Sequence, residues 1–275
     1  MIKLALSDMD NTIVPLGMGV VSERTRAGIH ACLDAGVHFA PATGRDPDGL
    51  ERFFRGDEAC YATMLASNSK VITLDGRMVR EVFIDTEDVC RVCRLLEHEP
   101  DVFCLFRVGD VDYAYGSSDV DYGDLADIFG PDVHPTTELP AGNVIAFTVA
   151  HAISTARQEE IRSMIEGACP GLECLAPALG VFDVMPRGWT KASGMQVLMD
   201  EMGITADEVC VFGDSENDIP LLKACPNSVT VANALPAAAA VARYHIGACA
   251  DDAVADALFD IAKAAITGET PAFMH

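Results

Sequence analysis

The chain has 275 residues, half of them hydrophobic, and a formal net charge of -23 from 42 acidic against 19 basic residues. That length suits one large or two modest domains with a sizeable core. The acidity argues against nucleic-acid backbones and anionic membrane surfaces as partners, although a small anion stays admissible where local charge opposes the global sign, and salt adaptation is another source of such acidity.

No 18-residue apolar run is present, so no membrane span is expected. Met1-Ile2-Lys3 leads straight into a strand-like segment without a signal-peptide pattern, which predicts a cytoplasmic protein. The apolar stretch Lys3–Ser7 predicts a short buried strand. Asp8-Met9-Asp10-Asn11-Thr12 follows it. Two carboxylates one residue apart at a strand end repel and resist ionisation. A divalent cation would remove that cost. One carboxylate would then attack an electrophile while the other handles a proton. Taken alone, the segment reads equally well as a polar turn.

Ser22 offers an N-cap to a helix ending near Ala35-Gly36. Val37–Ala42 predicts a second strand, with Thr43-Gly44-Arg45 after it. Asp46-Pro47 then opens a helix through Phe53-Phe54, and Tyr61–Ser67 predicts a third strand. This alternation predicts a parallel α/β sheet with ligands beyond the carboxyl ends of its strands, where Asp8, Thr43 and Asn68 fall.

The middle changes character. A helix carries Cys90 and Cys93, a pair better explained by packing than by zinc, because no second pair or histidines accompany it. Strands are expected over Val102–Phe106, Val111–Tyr115 and Asn143–Val149, then a helix over Ala156–Glu166 and short strands up to Val184. This reads as an inserted α+β domain of roughly a hundred residues, 83–183, between core segments 1–82 and 184–275. Alternation returns with a helix over Lys191–Met202 ending at Gly203, and a strand over Val209–Phe212. Gly213-Asp214-Ser215-Glu216-Asn217-Asp218 and a helix through Leu222 come next. A strand over Ser228–Ala232 and Ala-rich helices over Pro236–Arg243 and Asp251–Ala265 complete the chain. The ten cysteines sit largely in apolar runs, as small hydrophobes. Lys191 is one of only five lysines, and a helix N-terminus is the unfavourable end for a lone cation, which favours a functional role for it.

Asp8 with Asp10, then Thr43, Lys191, and Asp214 with Asn217 and Asp218, resemble in order and spacing the motifs of the haloacid dehalogenase superfamily. The likeness is greatest to its Cof-type phosphatases with a large C2-type cap. It covers essentially the whole chain and implies a Rossmann-like parallel-sheet core with an inserted α+β cap. It implies a phosphatase of small phosphorylated metabolites, such as sugar phosphates or phosphorylated cofactors, using Mg2+. It also implies the roles. Asp8 is the nucleophile that forms an aspartyl-phosphate. Asp10 is the acid and base, its backbone carbonyl also a metal ligand. Thr43 and the Gly44 N–H hold a phosphoryl oxygen, and Lys191 stabilises charge on the phosphoryl group and Asp8. Asp8 and Asp214 are the side-chain metal ligands, Asn217 contacts phosphate or a metal-bound water, and Asp218 orients Lys191 or a water behind the metal.

The family often has Gly after the second Asp. Asn11 stands there instead, a minor departure because Asn tolerates unusual backbone angles. Asn68-Ser69-Lys70 matches the family's Asn-Gly-Ala only at Asn68, and Asn233-Ala234 resembles a late Asn-Ala element. Arg45 fits either a phosphate-site or a surface role. Arg107, Tyr113, Tyr115 and Arg187 of the cap are as well explained by surface or packing roles as by substrate contact. The other readings are a phosphomutase or phosphotransferase on the same core, or a phospholigand-binding protein without activity.

Overall fold

The computed structural model describes residues 1–15, 17–116, 133–151 and 153–275. They divide into two compact units, Met1–Glu81 with Thr190–His275, and Val82–Trp189. The first unit opens with β1 (Leu4–Ser7), α1 (Glu23–Asp34), β2 (His38–Pro41), α2 (Pro47–Phe53), β3 (Met64–Ala66), β4 (Val71–Leu74) and β5 (Arg77–Glu81). The second unit holds α3 (Thr86–Leu96), β6 (Val102–Val108), β7 (Val111–Gly116), β8 (Val133–Thr136), β9 (Val144–His151), α4 (Thr155–Ala168), β10 (Leu172–Ala178) and β11 (Val181–Pro186). The first unit resumes with α5 (Lys191–Met202), β12 (Val209–Gly213), α6 (Ile219–Ala224), β13 (Asn227–Thr230), α7 (Pro236–Ala239), β14 (Tyr244–His245) and α8 (Ala253–Thr267).

Among the described residues of the first unit, β14-β13-β12-β1-β2 form a wholly parallel sheet. Its central strands, Leu4–Ser7 and Val209–Gly213, are buried along their whole length. That burial explains why they read as continuous apolar runs rather than alternating ones. Ser22 caps α1, its hydroxyl accepting from the Thr25 N–H at 3.0 Å. Alanine richness in α8 serves close packing: Ala253, Ala255, Ala257, Leu258 and Ile261 form a buried face.

β3 differs from its expected place in the parallel sheet. It pairs antiparallel with β4, which pairs with β5, and is joined to the large sheet by the isolated parallel Ala42–Leu65 bridge. The physical reason is the Val71–Glu81 hairpin that follows, whose turn at Asp75-Gly76 has both residues at positive φ, 51° and 76°. That hairpin supplies β3 with a closer partner. The Ala-rich segment at 236–243 is also shorter than expected, helical only over Pro236–Ala239 before β14 adds to the sheet edge.

The second unit is a sheet in the order β10-β11-β9-β6-β7-β8. Val89, Val92, Cys93 and Leu96 of α3 and Ile161 and Ile165 of α4 join its core with Phe147 and Phe182. β11 continues to Pro186 opposite Leu172, so residues 184–189 belong to this unit. Cys93 is a core residue and Cys90 half-buried, both as free thiols. The four candidate substrate contacts here have structural partners. Arg107 pairs with Asp112, Tyr113 stacks on Phe106 at 5.5 Å, Tyr115 is buried, and Arg187 donates to the Pro170 carbonyl at 2.7 Å.

Candidate active site

β1 and β12 run side by side in parallel, Ser7 opposite Phe212, so their carboxyl ends deliver Asp8 and Asp214 to one place. The Asp8 N–H donates to the Phe212 carbonyl at 2.9 Å, which extends the pairing by one residue. After β12 the chain doubles back. A Cβ on Gly213 would lie 2.6 Å from the Asp218 Cβ, so only glycine permits that return. Asp218 then lies fully buried, its Oδ2 accepting from the Asp214 N–H at 3.0 Å and the Ser215 N–H at 3.1 Å.

Lys191, the first residue of α5, is 2% exposed. Its Nζ donates to Asp8 Oδ1 at 2.5 Å and to Asp218 Oδ1 at 2.6 Å. The helix carrying it comes close because residue 194 is glycine, where a Cβ would meet the Ser69 side chain at 2.6 Å. Asp214 completes the cluster and accepts from the Thr12 hydroxyl at 3.0 Å. Oxygens of Asp8, Asp214 and Asp218 lie within 4.8 Å of one another.

Charge is unbalanced here. Burial, then Asp218, push Asp8 from 3.8 up to about 8, while Lys191 pulls it down and Asp214 adds a further push. Burial, then Asp218, raise Asp214 to about 6 against the Thr12 hydrogen bond. Burial works against the Lys191 ammonium, but Asp218 and Asp8 outweigh it and its pKa rises. When all three are ionised, the close carboxylates against one ammonium leave two negative charges, the complement of a divalent cation. Asp218 is committed with both oxygens, so Asp8 and Asp214 are the available donors. Hard carboxylate oxygens of this kind fit Mg2+.

Asp10 is held differently. Arg45 grips its carboxylate with Nε to Oδ2 at 3.0 Å and Nη2 to Oδ1 at 2.7 Å, and the guanidinium covers the Phe53 ring at 4.1 Å. Thr43 is buried and its hydroxyl accepts from the Arg45 N–H at 3.1 Å. Gly44 is exposed, with the Asn68 side chain where its Cβ would be, at 3.3 Å. Asn217 is exposed, and its Oδ1 accepts from the Ser215 hydroxyl at 2.7 Å. The structure thus joins Asp8, Asp214, Asp218 and Lys191 by direct contacts. It places Asp10 with Arg45 on Thr43, and leaves Asn217 on the exposed rim of its turn.

Three supports had little sequence signal. Thr12 sits in the quoted motif, but its contact with Asp214 spans 202 positions. Asn233 donates to the Asn11 carbonyl at 2.8 Å and accepts from the Cys249 N–H at 2.8 Å, tying the Asp8 loop to the C-terminal segment. Ser67, Asn68 and Ser69 are all left-handed, with φ of 50°, 55° and 63°. Such strain in successive non-glycine residues costs about 1–2 kcal/mol each. It shapes the loop whose Ser67 and Asn68 N–H groups bind the Arg45 and Thr43 carbonyls at 2.8 and 2.9 Å. Asn11, at φ 62°, adopts the left-handed conformation that its residue type tolerates.

A protein-family model described as haloacid dehalogenase-like hydrolase matches residues 5–258. The chain belongs to that family. Within it, the Escherichia coli K12 5-amino-6-(5-phospho-D-ribitylamino)uracil phosphatase YbjI is 24% identical over 263 residues, 95% of this chain and 97% of that one. An HMP-PP phosphatase of Yersinia pseudotuberculosis is 24% identical over 251 residues, 86% of each chain. Among solved structures, the subclass IIB sugar phosphatase BT4131 has the same fold, with a TM-score of 0.77 at 21% identity, covering 93% of this chain and 97% of that one. The chain is a phosphatase of the haloacid dehalogenase-like family.

Proposed function

We propose that this phosphatase hydrolyses small phosphorylated metabolites through an aspartyl-phosphate on Asp8, with Mg2+ as cofactor. The observation that carries the reading is the buried ammonium of Lys191 spanning Asp8 and Asp218 beside Asp214. A protein that only binds phosphate has no use for a carboxylate so placed, since anions repel. A nucleophile does. The Asp8 carboxylate attacks phosphorus, the ester oxygen leaves with a proton, and water then cleaves the acyl phosphate to release inorganic phosphate and free Asp8. Asp10 is the proton donor in the first step and the base in the second, and Arg45 positions it. Lys191 offsets the phosphoryl charge, held in place by Asp218. Thr43 and the Gly44 N–H bind a phosphoryl oxygen, and Asn217 contacts the phosphate from its exposed turn. Asp8, Asp214 and the Asp10 carbonyl would hold Mg2+, which supplies positive charge to the transferring phosphoryl oxygens. The substrate class rests on the full-length relatives, which are phosphatases named for small phosphorylated compounds.

The test is phosphate release from a panel of sugar phosphates and phosphorylated cofactors, with Mg2+ and with chelator, for the native chain and Asp8→Asn. Mg2+-dependent release that disappears in the variant supports the proposal. Release that survives in Asp8→Asn overturns the covalent route. Consumption of substrate without free phosphate, in the presence of an acceptor alcohol, would instead indicate a phosphotransferase.

A further inference from the structure

Another set of donor side chains converges in the first unit, outside the Asp8–Lys191 cluster. After α2 the chain passes through left-handed Arg55 and Gly56 into a single 3-10 turn, Glu58–Cys60. The Cys60 N–H bonds the Asp57 carbonyl at 3.0 Å and closes the turn. Residues three apart in such a turn lie on one side. Asp57 and Cys60 therefore face the same neighbour, His30 of α1. His30 Nε2 lies 2.8 Å from Asp57 Oδ2 and 4.0 Å from Cys60 Sγ, and the three donor atoms lie within 4.8 Å of one another.

We propose that His30, Asp57 and Cys60 bind a zinc-class transition-metal cation, with water as the fourth ligand. Imidazole, carboxylate and thiolate together suit Zn2+ and its neighbours and do not suit Mg2+. Zinc bond lengths in a tetrahedron put donor atoms about 3.3–3.6 Å apart. The separations of 2.8 and 4.0 Å bracket that range, so each donor has about half an ångström to move. The His30 side chain is 46% exposed, which leaves an approach for the ion and its water. In the metal-free protein the Cys60 thiol hydrogen-bonds Asp57 and lies 4.0 Å from His30 Nε2, so the three donors already face one another.

Arg26 is the opposing charge, its Nη1 3.7 Å from Asp57 Oδ2. Thiolate and carboxylate match the two charges of the ion, so a bound cation brings no net charge towards Arg26. Burial, then the Asp57 charge, push the Cys60 thiol up to about 12. The free group is thus protonated, and coordination sends that proton to solvent. The bound ion would cross-link α1 to the turn after α2.

The test is a Co2+ titration of the full-length, chelator-treated protein, followed by absorption. The expected result is a near-ultraviolet sulfur-to-cobalt charge-transfer band with intense tetrahedral visible bands, both removed by excess Zn2+. Asp214→Ala should keep the charge-transfer band and Cys60→Ser should lose it. His30→Ala, at a half-exposed position, gives a second reading if Cys60→Ser does not fold: the tetrahedral bands should be lost with circular dichroism unchanged. Absence of the charge-transfer band in the native chain overturns the proposal. So does its survival in Cys60→Ser, or tetrahedral bands that persist in His30→Ala. None of these readouts depends on phosphatase activity, so the result is independent of the proposed reaction.

Discussion

Replacing Asp8 by Asn should make the metal-free protein more stable while ending turnover. Asp8 is buried against Asp218 and Asp214, and its folded pKa stands at about 8 instead of 3.8. A raised acid pKa means that the folded state holds the proton more tightly than the unfolded chain. Its stabilising effect is complete below the unfolded value and is lost as pH rises through the folded one. At about 1.4 kcal/mol per pH unit, the span from 3.8 to about 8 sets an upper limit of ~6 kcal/mol. An amide at position 8 stands in for the protonated carboxyl, and the attraction of Lys191 for the carboxylate is already contained in the value of about 8. The net gain above pH 8 is therefore bounded by that ~6 kcal/mol, and it should vanish near pH 4. Urea unfolding of both proteins in chelator, at several pH values, measures it. Adding Mg2+ should favour the native chain, because ligand binding stabilises the form that binds it better. A variant less stable than the native chain at pH 9, or a difference that does not change between pH 4 and pH 9, would refute this reasoning.

Lys191→Met strands Asp8 and Asp218 without their shared cation; removing one member of a buried charge network costs about 3–5 kcal/mol, measurable by denaturation, and should lower kcat at least 100-fold. Thr12→Val removes the hydroxyl that orients Asp214, so the Mg2+ concentration for half-maximal activity should rise about 10-fold or more, with little change in kcat at saturation. Arg45→Ala frees Asp10 from a pairing that is 40% exposed on the arginine side, so stability should change by less than about 1 kcal/mol. Its kcat should nonetheless fall, and its pH–rate profile shift, if Arg45 positions the proton-transferring carboxylate; Arg45→Lys should restore part of the loss.

Much of the core was legible because its signals are local. Buried parallel strands need continuous apolar runs, helices need caps, and the residues just past strand ends carry the chemistry; Leu4–Ser7, Ser22 before α1 and Lys191–Met202 closed by Gly203 at φ 64° all show this. The place of β3 was not legible, because strand propensity does not say which strand will be the partner, and the hairpin at Asp75-Gly76 supplied a nearer one. Residue types and motif order identified Asp8, Asp10, Thr43, Lys191 and Asp214 as candidates. The resemblance already linked Lys191 with Asp8 and Asp218; only the tertiary structure gave Asp10 to Arg45, bound Thr12 to Asp214 and set Asn233 under the Asp8 loop. Those contacts join residues up to 222 positions apart. Side-chain chemistry and backbone preference are carried by neighbours in the chain, whereas burial and the field of nearby charges exist only after distant segments have packed.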